Sequence, residues 1–269
     1  MKVDLKKTEA WMTEISGVLS DFRTIISGLK SPTLVVGAAV LEFYAIQGWI
    51  PPLSRSTGDL DLSVGLKAVA GTEYNHLKKQ LGSLGYKARD PDITYRFYPV
   101  KQIPGAKGYI DLLAHPITSK VSDDTARRVM GAGPNFSFEG FAFAQREAFE
   151  IAPNLLVPNP IAFMRLKIES YKDAPLDRKK DFADIVELIT GLVSKGIHYD
   201  LETIYKKISG EADAKVLLDV LKKLEAGSAT TWDIDDIQSE LVSRNLRKLG
   251  DEFEQKFAQA VKELNSAIK

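Results

Sequence analysis

Three short apolar runs shape the first half of this chain, and each is interrupted where a plain strand would continue. Leu34-Val35-Val36 stops at the small-residue turn Gly37-Ala38-Ala39. Ser54-Arg55-Ser56-Thr57-Gly58 leads into Asp59-Leu60-Asp61-Leu62, and Gly108-Tyr109 leads into Ile110-Asp111-Leu112-Leu113. Successive side chains on a strand alternate faces, so Asp59 and Asp61 share one face while Leu60 and Leu62 share the other, buried one. Asp111, set among apolar neighbours, is a charge that needs a partner. If its strand lies beside that of Asp59 and Asp61, the three carboxylates meet.

The surrounding pattern is α+β (mixed α/β). Apolar residues at helical spacing, from Trp11 and Ile15 to Ile25 and Ile26, predict a helix over 4–29 that ends at Ser31-Pro32. A buried strand at 33–36, a helix at 38–47, a loop at 48–52, a strand at 60–64 and a helix at 72–84 follow. Strand-like segments lie near 86–89, 93–100 and 108–114, with Pro104-Gly105 as a turn. Residues 136–151 alternate strand-like and aromatic positions, and 155–157 reads as another short strand. From Pro158 onward the pattern is helical only, at 160–172, 178–195, 200–209, 212–225, 233–248 and 250–267. Pro158-Asn159-Pro160 marks the expected boundary between a small mixed-sheet domain with an N-terminal helix, 1–157, and an all-helical domain, 158–269. Interleaved strands and helices in the first half imply one sheet with helices on it.

Composition excludes several classes. Cysteine is absent, which removes disulfides and thiolate metal sites. With 36 Lys and Arg against 36 Asp and Glu, the formal net charge is +0. That argues against a large non-specific nucleic-acid footprint and leaves room for a local basic cleft. Met1-Lys2-Val3-Asp4-Leu5 lacks the apolar core of a signal peptide. No apolar run approaches the roughly 20 residues of a membrane span. A cytoplasmic protein without a membrane partner is the expectation.

Two carboxylates side by side repel each other unless a cation sits between them. Magnesium takes such oxygen ligands and keeps positions open for water and phosphate oxygens. A metal shared by Asp59 and Asp61 would orient a triphosphate; a second, touching Asp111 as well, would activate an acceptor hydroxyl for in-line attack. Asp111 is also a candidate to take the proton from that hydroxyl. The plainer reading makes Asp59 and Asp61 solvated strand-edge residues. Gly37 permits a tight turn, and the helix after it offers free backbone N–H groups to a phosphate; an ordinary strand–helix turn looks the same.

Together, Gly37-Ala38, Arg55-x-Thr57-x-Asp59-Leu60-Asp61-Leu62 and Asp111 resemble the nucleotidyltransferase superfamily that includes polymerase-beta-like enzymes. Within it the chain looks most like the AbiEii/AbiGii-type group, the toxins of bacterial abortive-infection and toxin–antitoxin systems. Lys167, followed by Asp177-Arg178-Lys179-Lys180-Asp181-Phe182-Ala183-Asp184, looks like that group's lysine helix and its Lys/Arg-Asp-x-x-Asp helix. The resemblance covers roughly residues 33–190. It implies magnesium-dependent transfer of an NMP from an NTP onto an acceptor hydroxyl. RNA or tRNA is the favoured acceptor, a protein or small molecule the others, and a cognate antitoxin protein is an implied partner. Asp59, Asp61 and Asp111 would be the catalytic and metal-binding residues; Gly37, Ala38, Arg55, Thr57, Lys167 and Lys180 would face the nucleotide. One departure stands out: the group usually has Gly-Ser or Gly-Gly at the turn, and here Ala38 follows Gly37. A serine hydroxyl that would help grip the phosphate is missing, although backbone N–H groups remain.

Other residues stay open. Lys167 is a phosphate ligand or one half of an ion pair, with Asp181 as its orienting partner; Lys180 and Asp184 staple each other or brace the first domain. Arg55 and, on a strand, Arg96 can reach a phosphate or pair with a carboxylate. His115 follows the Asp111 strand as a cap, and His76 sits on a helix surface. Phe136, Phe138, Phe141, Phe143 and Phe149 read as core packing at alternating strand positions rather than as a base-stacking surface. Two alternatives accompany transfer chemistry: a fold relative that binds a nucleotide or partner without turnover, and a structural module in which Asp111 pairs with an arginine or lysine.

Overall fold

A computed structural model describes residues 1–15, 23–53, 57–67, 71–101, 108–132, 140–173 and 179–196. The expected helices between 200 and 267 lie outside these residues. The chain divides into two compact units: Met1–Gln47 with Ser56–Leu166, and Gly48–Arg55 with Lys167–Lys269.

The first unit holds a mixed seven-stranded sheet. In chain order the elements are α1 (Leu5–Ile15), β1 (Thr33–Val36), α2 (Ala39–Gln47), β2 (Asp59–Leu66), α3 (Thr72–Ser83), β3 (Tyr86–Lys87), β4 (Arg96–Pro99), β5 (Tyr109–Pro116), α4 (Asp123–Met130), α5 (Phe141–Arg146), β6 (Ala148–Ala152), β7 (Leu155–Pro158), α6 (Pro160–Asp173) and α7 (Lys179–Ser194). The sheet order is β3-β4-β5-β2-β1-β7-β6. β2 runs antiparallel to β1 and parallel to β5. A parallel pair needs a crossover, and the stretch carrying α3 supplies it; the Tyr74 hydroxyl donates to Leu112 O at 2.7 Å and ties that helix to β5.

β1 is buried along its whole length, as a central strand of mostly β-branched and aliphatic residues should be. Its successor α2 is nearly all apolar and correspondingly sunk in the core, with Phe43 and Tyr44 fully buried. Trp11 from α1 meets Phe43 edge-on at 5.2 Å, and Tyr44 meets Phe163 edge-on at 6.0 Å. Gln47 secures the start of α1 to the end of α2: Asp4 N donates to its Oε1 at 2.8 Å, and its Nε2 donates to Thr8 Oγ1 at 3.0 Å.

One local expectation changes. Phe141 and Phe143 lie on the short helix α5 and not on a strand, both buried; Phe149 does lie on a strand, β6, and Phe136 and Phe138 fall outside the described residues. α4 was not evident from apolar spacing because only Ala126 and Met130 of it are buried; its ends are set by Ser122, which accepts from Thr125 N at 3.2 Å, and by Gly131 at φ +70°. Pro158-Asn159-Pro160 leads into the helix expected from 160: Asn159 Oδ1 accepts from Ile161 N and Ala162 N at 3.1 and 2.9 Å, with Pro160 at the first helical position.

Candidate functional site

The carboxylate-bearing strands are neighbours in register. Asp61 pairs with Asp111 across the parallel β2–β5 ladder, and Asp59 pairs with Tyr109. Paired residues project to one side, so Asp59, Asp61, Tyr109 and Asp111 share a face of the sheet. Leu60, Leu62, Ile110 and Leu112 fill the other and are fully buried, all at 1% exposure or less.

Gly37 turns β1 into α2 at φ +70°. Its place beside β2 follows from the antiparallel register, which sets Val36 opposite Asp61. A Cβ at residue 37 would lie 1.9 Å from Asp61 Oδ2 and 2.8 Å from its Cγ. The glycine is therefore demanded twice, by the left-handed backbone and by the carboxylate lying against it. Ala38, next in the turn, leaves the first backbone groups of α2 without the help of a hydroxyl.

Asp59 is held from two sides. The Thr57 hydroxyl donates to its Oδ1, and the Tyr109 hydroxyl donates to Oδ2 at 2.8 Å. Thr57 is itself placed by Glu42, a buried carboxylate of α2 that accepts from Thr57 N at 2.6 Å. Burial first, then this bond to Asp59, pushes the Tyr109 phenol well above its ordinary range, so it remains a donor.

Asp111, buried at 7% exposure, meets Arg96 in a two-pronged pair: Nε to Oδ1 and Nη2 to Oδ2, both 2.7 Å. The antiparallel β4–β5 register sets the two residues opposite one another. The guanidinium also lies 4.2 Å from the centre of the Tyr109 ring. The hydrogen bond to Asp111 outweighs burial and raises the Arg96 pKa further above its already high value; it is a fixed cation. This pairing is the one expected of a structural module, whereas the shared register of three carboxylates beside a glycine turn is the one expected of a transfer site. Among the described residues, no three acidic or imidazole side chains are gathered so as to hold a metal ion.

Farther along the same face a buried polar chain runs Ser63–His115–Gln145. Ser63 Oγ is 2.8 Å from His115 Nδ1, and Nε2 is 3.0 Å from Gln145 Oε1. With the glutamine oxygen accepting from Nε2–H, Nδ1 accepts from the serine. Burial lowers the His115 pKa to about 4, the bond to Gln145 opposing it. Phe141 stacks on the ring at 5.3 Å. His115 is thus a wholly buried neutral bridge between β5, β2 and α5 rather than a strand cap.

In the second unit, Lys167 and two carboxylates form a buried triad. Lys167 Nζ lies 2.7 Å from Asp181 Oδ1 and 2.7 Å from Asp184 Oδ2, while Ser170 Oγ donates to Asp181 Oδ2 at 2.8 Å. Burial pulls the lysine pKa down, but Asp184 and Asp181 overcome it and the net shift is upward. The ammonium is committed to this ion pair. Lys180, one turn away on α7, is exposed. Arg55 lies outside the described residues.

Sequence reasoning passed over Glu42 and the hydroxyl of Tyr109. A lone carboxylate in the apolar stretch Ala39-Val40-Leu41-Glu42-Phe43-Tyr44 was the available signal for the first. Tyr109, two positions before Asp111 and so on its face, was the signal for the second. A scan against models of known protein families finds no match, and neither does a search of the curated proteins. Among the described residues, no helix is long and apolar enough to cross a membrane.

Proposed function

We propose that the chain transfers a nucleoside monophosphate from an NTP to an acceptor hydroxyl, with magnesium and with RNA as the favoured acceptor, in the manner of the toxin-like nucleotidyltransferases it resembles. The observation that carries this reading is the register of Asp59, Asp61 and Asp111 on one face of β2 and β5, next to a glycine turn shaped around Asp61. An all-oxygen donor set suits magnesium. Asp59, Asp61 and Asp111 are not gathered as an ion needs; they would hold it only once Asp111 had left Arg96, and it would then supply charge neutralisation and a lowered hydroxyl pKa. Because Arg96 occupies both oxygens of Asp111, ion binding there has to compete with the guanidinium.

The chain's own residues supply the rest. Backbone N–H groups at the start of α2 face an anion with the favourable end of the helix dipole. Thr57 and Tyr109 fix the Asp59 carboxylate, and Glu42 fixes Thr57, so this ligand needs little reorganisation. Once released by Arg96, Asp111 accepts the acceptor's hydroxyl proton while the new O–P bond forms and the bond to pyrophosphate breaks. Proteins of this kind would be paired with an antitoxin.

The test is a transfer assay with four α-labelled NTPs against total RNA, protein and small-molecule acceptors, compared with Asp59→Ala. Label on one acceptor class, lost in the variant, is expected; absence of transfer together with absence of NTP binding overturns the proposal. A second reading, a nucleotide- or partner-binding relative without turnover, draws on Ala38 and on the Arg96–Asp111 pair. It expects NTP to raise the melting temperature with no transfer at all.

A further inference from the structure

The face that carries the carboxylates continues toward the β3 edge of the sheet, and there its chemistry reverses. The β4–β5 register places Arg96 opposite Asp111 and Phe97 opposite Ile110, which sets Tyr98 opposite Tyr109. Lys87 on β3 pairs in turn with Tyr98. Phe97 and Tyr86 point to the core, so Lys87, Arg96, Tyr98 and Tyr109 share the carboxylates' side. The two tyrosine rings lie 5.7 Å apart, tilted at 53°. Arg89 lies 4.6 Å from the centre of the Tyr98 ring, as Arg96 lies 4.2 Å from that of Tyr109. Just past β4, Val100 is 55% exposed, a rare exposed large apolar side chain among the described residues.

Charge points the same way. Residues 86–101 carry Lys87, Arg89, Arg96 and Lys101 against Asp90 and Asp92, four cations to two anions, in a chain whose formal net charge is +0. Arg96 is spent on Asp111, but Lys87, Arg89 and Lys101 are exposed. Half-buried rings interleaved with exposed cations are what a single-stranded polynucleotide uses: every base has a π face for tyrosine or guanidinium planes, and the cations follow the phosphates.

We infer that the Tyr98–Tyr109 face with Arg89 and Lys87 is the seat of a single-stranded nucleic-acid end, the acceptor in the transfer proposed above, on which this inference rests. Sheet order selects the acceptor over the base of the NTP. β5 and β4 flank β2 on one side, while β1 with the Gly37 turn flanks it on the other. A triphosphate at that turn and a strand end on the tyrosines would approach Asp59 and Asp61 from opposite sides. Tyr109 joins the two regions, its ring in the platform and its hydroxyl on Asp59.

The experiment measures fluorescence anisotropy of a 5′-labelled octanucleotide RNA with the full chain, in EDTA and without NTP. Tyr98→Ala should weaken binding by about 5- to 150-fold, the loss of one base-stacking contact. Tyr98→Phe, which keeps the ring and guards against a folding artefact, should bind within about threefold of wild type. Arg89→Ala should flatten the dependence of log affinity on log salt by about 0.7, one phosphate contact to a single strand. Binding of a fluorescent ATP analogue should be unchanged in Tyr98→Ala. A wild type that binds RNA but transfers nothing refutes the transfer reading and leaves the platform standing. The platform is overturned by a wild type that does not bind the oligonucleotide, by Tyr98→Ala binding it as wild type does, or by Tyr98→Ala losing the ATP analogue while retaining RNA.

Discussion

Gly37→Ala is the sharpest test of how the site is built. The new methyl would enter at 1.9 Å from Asp61 Oδ2, 2.8 Å from its Cγ and 3.1 Å from its Cβ, at a backbone φ of +70°. Two costs follow. Holding a non-glycine residue in the left-handed region costs about 1–2 kcal/mol whatever surrounds it. Displacing Asp61 is an overpacking cost of about 1–3 kcal/mol. Their sum is about 2–5 kcal/mol in the wild-type background. In an Asp61→Ala background the two closest atoms are gone, and only the backbone share of about 1–2 kcal/mol should remain. The double-mutant cycle, read from urea midpoints by far-UV circular dichroism, should therefore give a coupling of about 1–3 kcal/mol. The same substitution should abolish the proposed transfer activity, since Asp61 has to leave its position to admit the methyl. Equal cost of Gly37→Ala in both backgrounds, within about 0.5 kcal/mol, would refute the claim that the turn is shaped around Asp61.

His115 predicts an acid-labile component of stability. Its folded pKa of about 4 lies below the ordinary 6.5, so the contribution is complete above pH 6.5 and fades as pH falls toward 4, to a loss of about 3 kcal/mol; His115→Gln should flatten the stability profile across that interval, and an unchanged slope would count against the buried neutral bridge. Lys167→Met leaves Asp181 and Asp184 buried without their cation and should cost about 3–5 kcal/mol, partly recovered when both carboxylates become asparagine; a loss below about 1 kcal/mol would show that the triad is not held as described. Arg96→Gln should lower the melting temperature in EDTA and, by removing the competing guanidinium, tighten manganese binding measured by electron paramagnetic resonance; unchanged affinity would mean that Asp111 takes no part in holding the ion.

Local pattern carried the elements whose cause is local. The alternation in Asp59-Leu60-Asp61-Leu62 reports a strand with one covered face, and Gly37 after three aliphatic residues reports the turn. Helices over 160–172 and 178–195 emerge within a residue or two of α6 and α7. Where the cause was not local, the sequence was mute or misleading. Phe141 and Phe143 stand two apart, which fits a strand, yet a helix of only six residues is too short to display its own period. α4 buries only Ala126 and Met130, so a helix held mainly by its two ends leaves almost no apolar stripe to read.

The carboxylates of the candidate site were legible as strand residues and their pairings were not, and the reason is the register of the sheet. Asp59, Asp61 and Asp111 can be named from strand pattern, because burial and charge are written into each strand alone. That Asp111 faces Arg96 depends on how β4 slides along β5, and a shift of one residue would turn Arg96 to the apolar face. The register decides the chemistry. With Arg96 opposite Asp111, the face holds a fixed cation beside two further carboxylates, so its anions are partly neutralised before any ion or substrate arrives. In the proposed transfer, an ion would have to win Asp111 from a two-pronged pair that has already met its desolvation cost. The pair would lower affinity for that ion, and an Arg96 released by it would become a cation available to phosphate. On that proposal, the arginine that makes the face look merely structural would also be placed to meet the acceptor once an ion had taken Asp111.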